Sequence, residues 1–598
     1  MSWLAVLAAA NLIPAGARAD SPVADPFVMP LAARFTAPGE PGFVSQYDLQ
    51  RGMPWTFAGL TAGAWESRDP FVSSAGAGPG VLEAAAPVAW ADSSAITFGE
   101  GSGWRGFGAT LGVAETFVKP VGRKPRAVFT LMNGGGSLDR YSLFIERGDD
   151  RSWVRGGTTG EKRGGLGALD LEGAHLWFLS AGTRRGAHTF EAQVSQQGMG
   201  AQLASALTID GVVGGFGEGA HGIAGSAGWT WRSDDARVSA RIARGLDGRD
   251  SHGAEGSLYS RRDAWRDAFE LMGERRTDAW TYGARLAVDR SRVVRWGAVL
   301  SNAYTRQQWD AQSQWAALRA QGTLAGGRMN ASLGAGHIDA PARSAERFQM
   351  APSLAWTRGL GAWSVRLHSQ RVVDPLWSDL SDGTPAFVQD VWSEGMDVSL
   401  AHAVDAPPGA ASDNIGAGVM ALQTGGRALT IRYPLRDFVL RNGWRRAGSD
   451  LAMILGTAHA RGHWRALGAD ASGWALSRPH TRDEARVDPV VGGRAGLETR
   501  FRIFANDLGV RLRLEAAYVG SRDADPDAGG FSGRLPGYTT LSGTASFTLG
   551  DATIVLRGEQ LEGARHEEVW TDPVGGSALP ALGPGRLIRA EVTWPLFD

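Results

Sequence analysis

Several residue groups in this chain have types and spacings that could do chemistry. Gly101-x-Gly103-x-x-Gly106 has the spacing of a dinucleotide fingerprint, which seats a pyrophosphate at a helix N-terminus inside a β-α-β unit. Here the stretch that follows, from Phe107 to Phe117, is glycine-broken and strand-like, and no acidic residue stands at the ribose-binding offset. Nucleotide binding is therefore rejected. His459 and His463 could offer imidazoles to a metal, but on a strand a spacing of four sets them about 13 Å apart, too far for one ion. His566-Glu567-Glu568 falls in a predicted turn and reads as a solvated loop. His480, Asp483 and Asp488 could supply acid–base groups, yet every long polar loop of this chain offers as much. No catalytic residue, metal ligand or cofactor is assigned, and the chain is not read as an enzyme.

The charges with a real pattern are Arg500, Arg502, Arg511, Arg513 and Glu515, joined by Arg589 and Glu591. They recur at every second position, so on strands they share one face. Such rows could line a path for an anionic ligand, or pair with each other across adjacent strands or with an inserted segment.

The elements that must carry them are strands. Leu508, Val510, Leu512, Leu514, Ala516 and Tyr518 alternate with Gly509, Arg511, Arg513 and Glu515. Leu541, Gly543, Ala545, Phe547 and Leu549 alternate with threonines and serines, and Ile588, Ala590, Val592, Trp594 and Leu596 with Arg589, Glu591 and Thr593. The runs are about ten residues long, the length of a tilted strand that crosses a bilayer. Sandwich strands are usually shorter, about five or six residues. Charged residues in the polar rows suit a wet lumen, and small residues in the apolar rows suit contact with lipid. The expected fold is all-β: a closed antiparallel transmembrane β-barrel of about 22 strands.

Composition agrees. Glycine (83) suits tight turns and bends, and tryptophan (23) suits the two membrane interfaces. Lysine is nearly missing (Lys119, Lys124, Lys162), as a high-GC genome would leave it, and cysteine is absent, so there is no disulfide framework and no thiolate site. A net charge of −1 supplies no global field for nucleic acid. No apolar run reaches the eighteen or so residues of a membrane helix, whereas a barrel needs apolar residues only at alternate positions.

Residues 1–19 read as a secretory signal, with an apolar core from Trp3 to Ala10 and a small-x-small site at Ala17-Arg18-Ala19. Residues 20–125 are rich in Pro, Gly and Ala and read as a reduced plug-like segment; residues 126–598 read as barrel. Candidate strands include Ile223–Arg232 and Val238–Gly245 around the turn Ser233-Asp234-Asp235, the run Val294–Thr305, and a tight pair from Ile415–Gln423 and Leu429–Arg445. Long polar loops are expected at Asp374–Gln389, Gly473–Gly492 and Ser521–Gly537, alternating with short turns.

Leu535-Pro536-Gly537-Tyr538-Thr539-Thr540-Leu541, the stretch Leu556–Glu568, and Pro584-Gly585-Arg586 feeding a terminal strand with Trp594 and Phe597 resemble the late strands of TonB-dependent outer-membrane receptors. The Gly-rich run Phe98–Gly112 is similar to the end of that family's plug. The resemblance implies a 22-stranded barrel in the bacterial outer membrane, with a plug in its lumen. It also implies a TonB-type energy-coupling partner and uptake of a scarce small-molecule ligand, such as an iron chelate, cobalamin or an oligosaccharide. This chain shows no clear energy-coupling box after Asp20 and ends on Asp598 rather than on the aromatic. The alternatives are a passive porin and a non-transport barrel for adhesion or structure.

Overall fold

The computed structural model describes Trp65–Arg68, Ala91–Phe98, Ser102–Arg105 and Gly112–Val118, and most of the chain from residue 124 to residue 597. Residues 1–64, which include the expected signal segment, lie outside the described residues, as do the longer connections at 340–347, 377–386, 405–418, 478–490 and 524–533.

Among the described residues, twenty-two strands form one closed antiparallel barrel. Closure is made by the last strand, Leu587–Phe597, pairing with the first wall strand, Arg126–Gly134. Closing the sheet pairs every strand edge, which an open sheet in hydrocarbon could not do. Before the wall comes a small sheet in which Gly112–Val118 lies between Trp65–Arg68, parallel to it, and Ala91–Phe98, antiparallel. A four-stranded sheet of Ala206–Thr208, Gly211–Val213, Glu567–Thr571 and Ala578–Leu582 joins two of the long connections.

The connections sort largely by barrel end, the one between Phe387–Val404 and Val419–Arg432 being the exception. One end carries short turns built from residues suited to them. Asp149 Oδ1 accepts from the backbone N–H of Ser152 at 2.6 Å and of Arg151 at 2.7 Å, and these bonds hold its carboxyl below the ordinary aspartate range. Ser233 N–H donates to the Ala236 carbonyl at 2.8 Å, closing the expected Ser233-Asp234-Asp235 turn. Ala325 and Gly326 both have positive φ, the two-residue geometry that matches strand twist.

Period two holds along the wall. On Tyr304–Leu324, Trp315 and Ala317 are buried while Leu318 is 64% exposed, and Gln308, Asp310, Gln312, Gln314 and Ala316 are exposed on the same side as Leu318. Exposed apolar rows cross strand after strand, as Ile242, Phe269 and Val288 do in direct register. On Trp280–Ala298 the exposed apolar positions run from Tyr282 to Val288, and the next exposed positions on that face are Arg290 and Arg292. That is about 20 Å along the strand at ~3.3 Å per residue, close to the apolar band of a membrane barrel once Trp280, stacked on Tyr282, is added.

The strands are longer than the sequence periodicity suggests, reaching Tyr304–Leu324. Leu258–Arg276 is a strand without clean alternation in its sequence, because Arg261, Arg262, Asp263, Arg266 and Asp267 put charge at both odd and even positions beyond the apolar band. Val294–Thr305 is not one strand: it spans the end of Trp280–Ala298 and the start of Tyr304–Leu324. Likewise Ile415–Gln423 and Leu429–Arg445 are not a hairpin. Gly425 and Gly426 lie inside the single strand Val419–Arg432, paired with Ser399 and Val398 on one side and Thr457 and Gly456 on the other.

Glycines also serve a packing role that turn chemistry does not describe. The rings of Tyr141, Trp153, His175, His221 and Trp280 lie over the glycines directly opposite them, Gly160, Gly182, Gly198, Gly248 and Gly322, and a Cβ at any of these would meet the ring. The aromatic covers backbone that glycine leaves bare.

Candidate functional site: a charged wall face and a docked N-terminal turn

The charged rows of the sequence come together on one face. Glu498, Arg513, Thr544, Arg557 and Arg589 stand in direct register across five adjacent strands. Arg500 opposes Arg511, and the same row continues through Ser546 and Val555 to Glu591. Opposed arginines would repel at a cross-strand separation of about 5 Å unless carboxylates stood between them. They do. Arg513 Nη1 and Nη2 donate to the two Asp470 carboxylate oxygens at 2.6 and 3.0 Å, and Nη2 also donates to Glu515 at 2.7 Å. Glu498 accepts from Arg500 and Arg511 and lies 3.8 Å from Arg513. Glu559 takes Arg557 at 3.0 Å and Arg589 at 2.9 Å, and Glu591 accepts from Thr593 Oγ1 at 3.5 Å. Arg502 stands near the strand end, opposite Gly509 and exposed. These charges pair with each other, across adjacent strands at Arg511–Glu498 and Arg589–Glu559, and over Gly496 of the intervening strand at Arg513–Asp470. Asp470, Glu498, Arg557 and Glu559 were not among the candidate residues. Asp470 could not have been, because its partner lies on another strand 43 positions away.

The second arrangement involves the Gly101–Gly106 pattern. Ser102–Arg105 forms a single helical turn that packs against the wall on the same face as Arg285 and Arg319. Trp104 is only 5% exposed. Its ring lies under the Arg319 guanidinium, 4.6 Å from the centroid, and Arg319 is in turn ion-paired to Glu274. Arg285, held by Glu270 at 2.8 Å, donates from Nη1 to the Trp104 carbonyl at 3.1 Å. Trp315 Nε1 donates to the Gly103 carbonyl at 3.2 Å. Trp104, Trp315, Ala317 and Ala351 make a small buried apolar cluster with Met272 and Ala287 beside it.

Local sequence explains the fit. Ala317, Gly334 and Ala351 are direct register neighbours, so three adjacent strands present a row of small residues. The turn sinks into that dent until backbone meets backbone: a Cβ on Gly334 would overlap the Gly103 carbonyl, and one on Gly103 would overlap the Ala351 carbonyl and come within 2.7 Å of Ser332 Oγ. Gly103 is thus required by close approach rather than by a phosphate. The signal was present in the small residues but could be assembled only once the register was known.

The remaining candidates are dispersed. His459 opposes Gln423 and Ser472, His463 opposes Val419 and Gly468, and among the described residues no group of three potential metal ligands converges. His480, Asp483, Asp488 and His566 lie outside the described residues, while Glu567 and Glu568 belong to the strand Glu567–Thr571.

No protein-family model and no curated protein matches the sequence. Solved structures do. The copper transporter OprC superposes with a TM-score of 0.73 at 12% identity, over 96% of this chain and 94% of that one. The FrpB iron transporter from Neisseria meningitidis gives 0.67 at 11% identity, over 91% and 94%. The ferric yersiniabactin uptake receptor FyuA from Yersinia pestis gives 0.66 at 13% identity, over 85% of each chain. The closed wall, its paired charged face and the N-terminal turn seated on it together have the fold of the TonB-dependent outer-membrane receptors.

Proposed function

We propose that the protein is an outer-membrane receptor of the TonB-dependent type. In this reading the apolar rows meet lipid, the charged rows line the lumen, and residues 20–125 plug it. Long connections at one end capture a scarce ligand, and a TonB-type partner drives the plug rearrangement that admits it. The observation that carries the reading is the Ser102–Arg105 turn, bonded to the charged face of the barrel wall. A passive porin has no need of such a buried attachment between its N-terminal segment and its wall. The titles of the similar structures name iron, copper and ferric-siderophore transport for those proteins, in agreement with uptake of a scarce nutrient here.

Planar-bilayer recording tests the reading directly. The intact chain is expected to be electrically silent, and deletion of residues 20–118 is expected to open steady ion conductance. Steady current through the intact chain would instead identify a porin. In cells, uptake is expected to stop when the proton gradient is collapsed.

Lipid contact has its own test. Leu286 sits between Tyr282 and Val288 on the exposed apolar face. Leu286→Arg is expected to lower folding stability in phospholipid vesicles by about 2–4 kcal/mol. Gln312→Arg, on the same face but beyond the apolar band, is expected to change it by less than about 1 kcal/mol. Equal effects at the two positions would argue that this face does not meet a bilayer.

A further inference from the structure

Two carboxylates hold the arginines that grip the docked turn, and each passes over an arginine directly opposite it to do so. Glu274 on Leu258–Arg276 has Arg237 directly opposite on one side and Gly283 on the other, and Arg319 stands one strand beyond Gly283. Its carboxylate pairs with Arg319, across the strand on which the Trp104 ring rests: a Cβ on Gly283 would come within 2.8 Å of that ring. Glu270 has Arg241 directly opposite on one side and Ala287 on the other. Its carboxylate takes Arg285 diagonally at 2.8 Å, while Arg241 donates from Nη2 to Ser226 Oγ at 3.2 Å. Arg237 and Arg241 are both exposed, on the same face of the wall as Arg319 and Trp315.

Register alone would pair these charges the other way. Directly opposite positions have Cβ atoms about 5 Å apart and diagonal ones about 7–8 Å, and two strand spacings amount to about 10 Å. The longer pairings persist because Arg285 and Arg319 each have a second contact that exists only with the turn in place. Arg285 donates to the Trp104 carbonyl at 3.1 Å, and the Arg319 guanidinium lies on the Trp104 ring. A carboxylate that holds either arginine therefore holds the turn through it. When the turn leaves, both second contacts vanish, and distance then favours Arg241 and Arg237. One wall with two charge arrangements, each matched to one state of the neighbouring segment, is a bistable element.

We propose that Glu270 and Glu274 form a two-position switch set by the Ser102–Arg105 turn. With the turn docked they pair with Arg285 and Arg319; with the turn displaced they pair with Arg241 and Arg237 on Ala236–His252. Undocking then exchanges two ion pairs for two others instead of abandoning them, which eases release and keeps it reversible. Arg237 and Arg241 are positioning residues that act through the two carboxylates. This deepens the transport reading and rests on its assignment of a moving N-terminal segment.

The test uses the full chain carrying Ser102→Cys in neutral detergent, labelled with an uncharged polyethylene-glycol maleimide, so that the rate reports undocking and not local charge. The double variant Arg237→Gln, Arg241→Gln removes the second position of the switch and is expected to label at least threefold more slowly than the parent. Arg237→Lys with Arg241→Lys keeps two cations there and is expected to label at the parent rate. Arg232→Gln is the control: Arg232 is exposed and directly opposite Arg237, so its loss lowers the charge of the same face without removing a partner of either carboxylate. It is expected to label at the parent rate. In a Glu270→Gln, Glu274→Gln background the two glutamine replacements on Ala236–His252 are expected to change nothing, because the carboxylates that read them are gone. Unchanged or faster labelling by the double variant overturns the proposal, and so does equal slowing by R232Q or slowing that persists without the carboxylates. Energised uptake alongside unchanged labelling in the double variant removes this inference and leaves the transport reading standing. Slower labelling in the double variant of a barrel that conducts steadily does the reverse.

Discussion

Substituting valine for Gly334 is expected to detach the Ser102–Arg105 turn from the barrel wall. The side chain has nowhere to go, because its Cβ alone would occupy the space of the Gly103 carbonyl oxygen and of the Trp315 ring edge. Backbone cannot swing aside as the end of a flexible side chain can, so the two segments must part. Parting exposes Trp104 and breaks the bonds from Trp315 to the Gly103 carbonyl and from Arg285 to the Trp104 carbonyl. It also removes the Arg319 guanidinium from the Trp104 face. Burial of one large aromatic contributes about 2–3 kcal/mol, the cation–π contact about 1, and each hydrogen bond about 1, so docking weakens by roughly 3–5 kcal/mol after ordering costs. That shifts the docked fraction by a factor on the order of 100 or more. The chain has no cysteine, so a single Ser102→Cys reports the event cleanly. Labelling by a membrane-impermeant maleimide is expected to be slow in the parent and at least tenfold faster with G334V, and bilayer current is expected to rise with it. Unchanged labelling would show that the contact does not hold the N-terminal segment in place. Gly103→Ala is expected to act in the same direction, against the Ala351 carbonyl.

The second large effect is expected at Arg513. Arg513→Met keeps the length of the side chain and removes the charge that Asp470, Glu515 and Glu498 share. Its side chain is 21% exposed and the carboxylates are mostly buried, so Asp470 and Glu515 lose their shared guanidinium with little water to screen them, while Glu498 keeps Arg500 and Arg511. Breaking a fully buried pair costs about 3–5 kcal/mol; partial exposure of this network puts the expected loss nearer 2–3 kcal/mol. The measurement is the urea midpoint for unfolding from vesicles. Arg502→Met, exposed near a strand end, is expected to shift stability by less than about 0.5 kcal/mol. Adding Asp470→Leu to R513M is expected to restore part of the loss, because one of the two carboxylates that lost the guanidinium is removed. A double variant no better than the single one would show that Arg513 contributes packing and not charge compensation.

Much of the wall could be read from residues alone. Strand direction alternates side chains with a period fixed by backbone geometry, so the two faces of Leu508–Val519 and Leu587–Phe597 follow from the order of residues. Where a strand leaves the apolar band the signal fades, since both faces then meet water: Leu258–Arg276 was invisible for that reason, and Gly425-Gly426 imitated a turn inside a continuous strand. Tryptophan was read as an interface residue. Trp594 is exposed in keeping with that, whereas Trp104 and Trp315 are buried in the contact between the N-terminal turn and the wall.

The sequence by itself determined the alternation of apolar and charged faces and the places of the long connections within 374–389, 473–492 and 521–537. Each of these depends on residues near one another along the chain. Only the tertiary structure decided that Arg513 binds Asp470 and that Ala317, Gly334 and Ala351 make one dent for Gly103. Those facts depend on register between strands, and a shift of a single residue in pairing would send every one of these side chains to the other face.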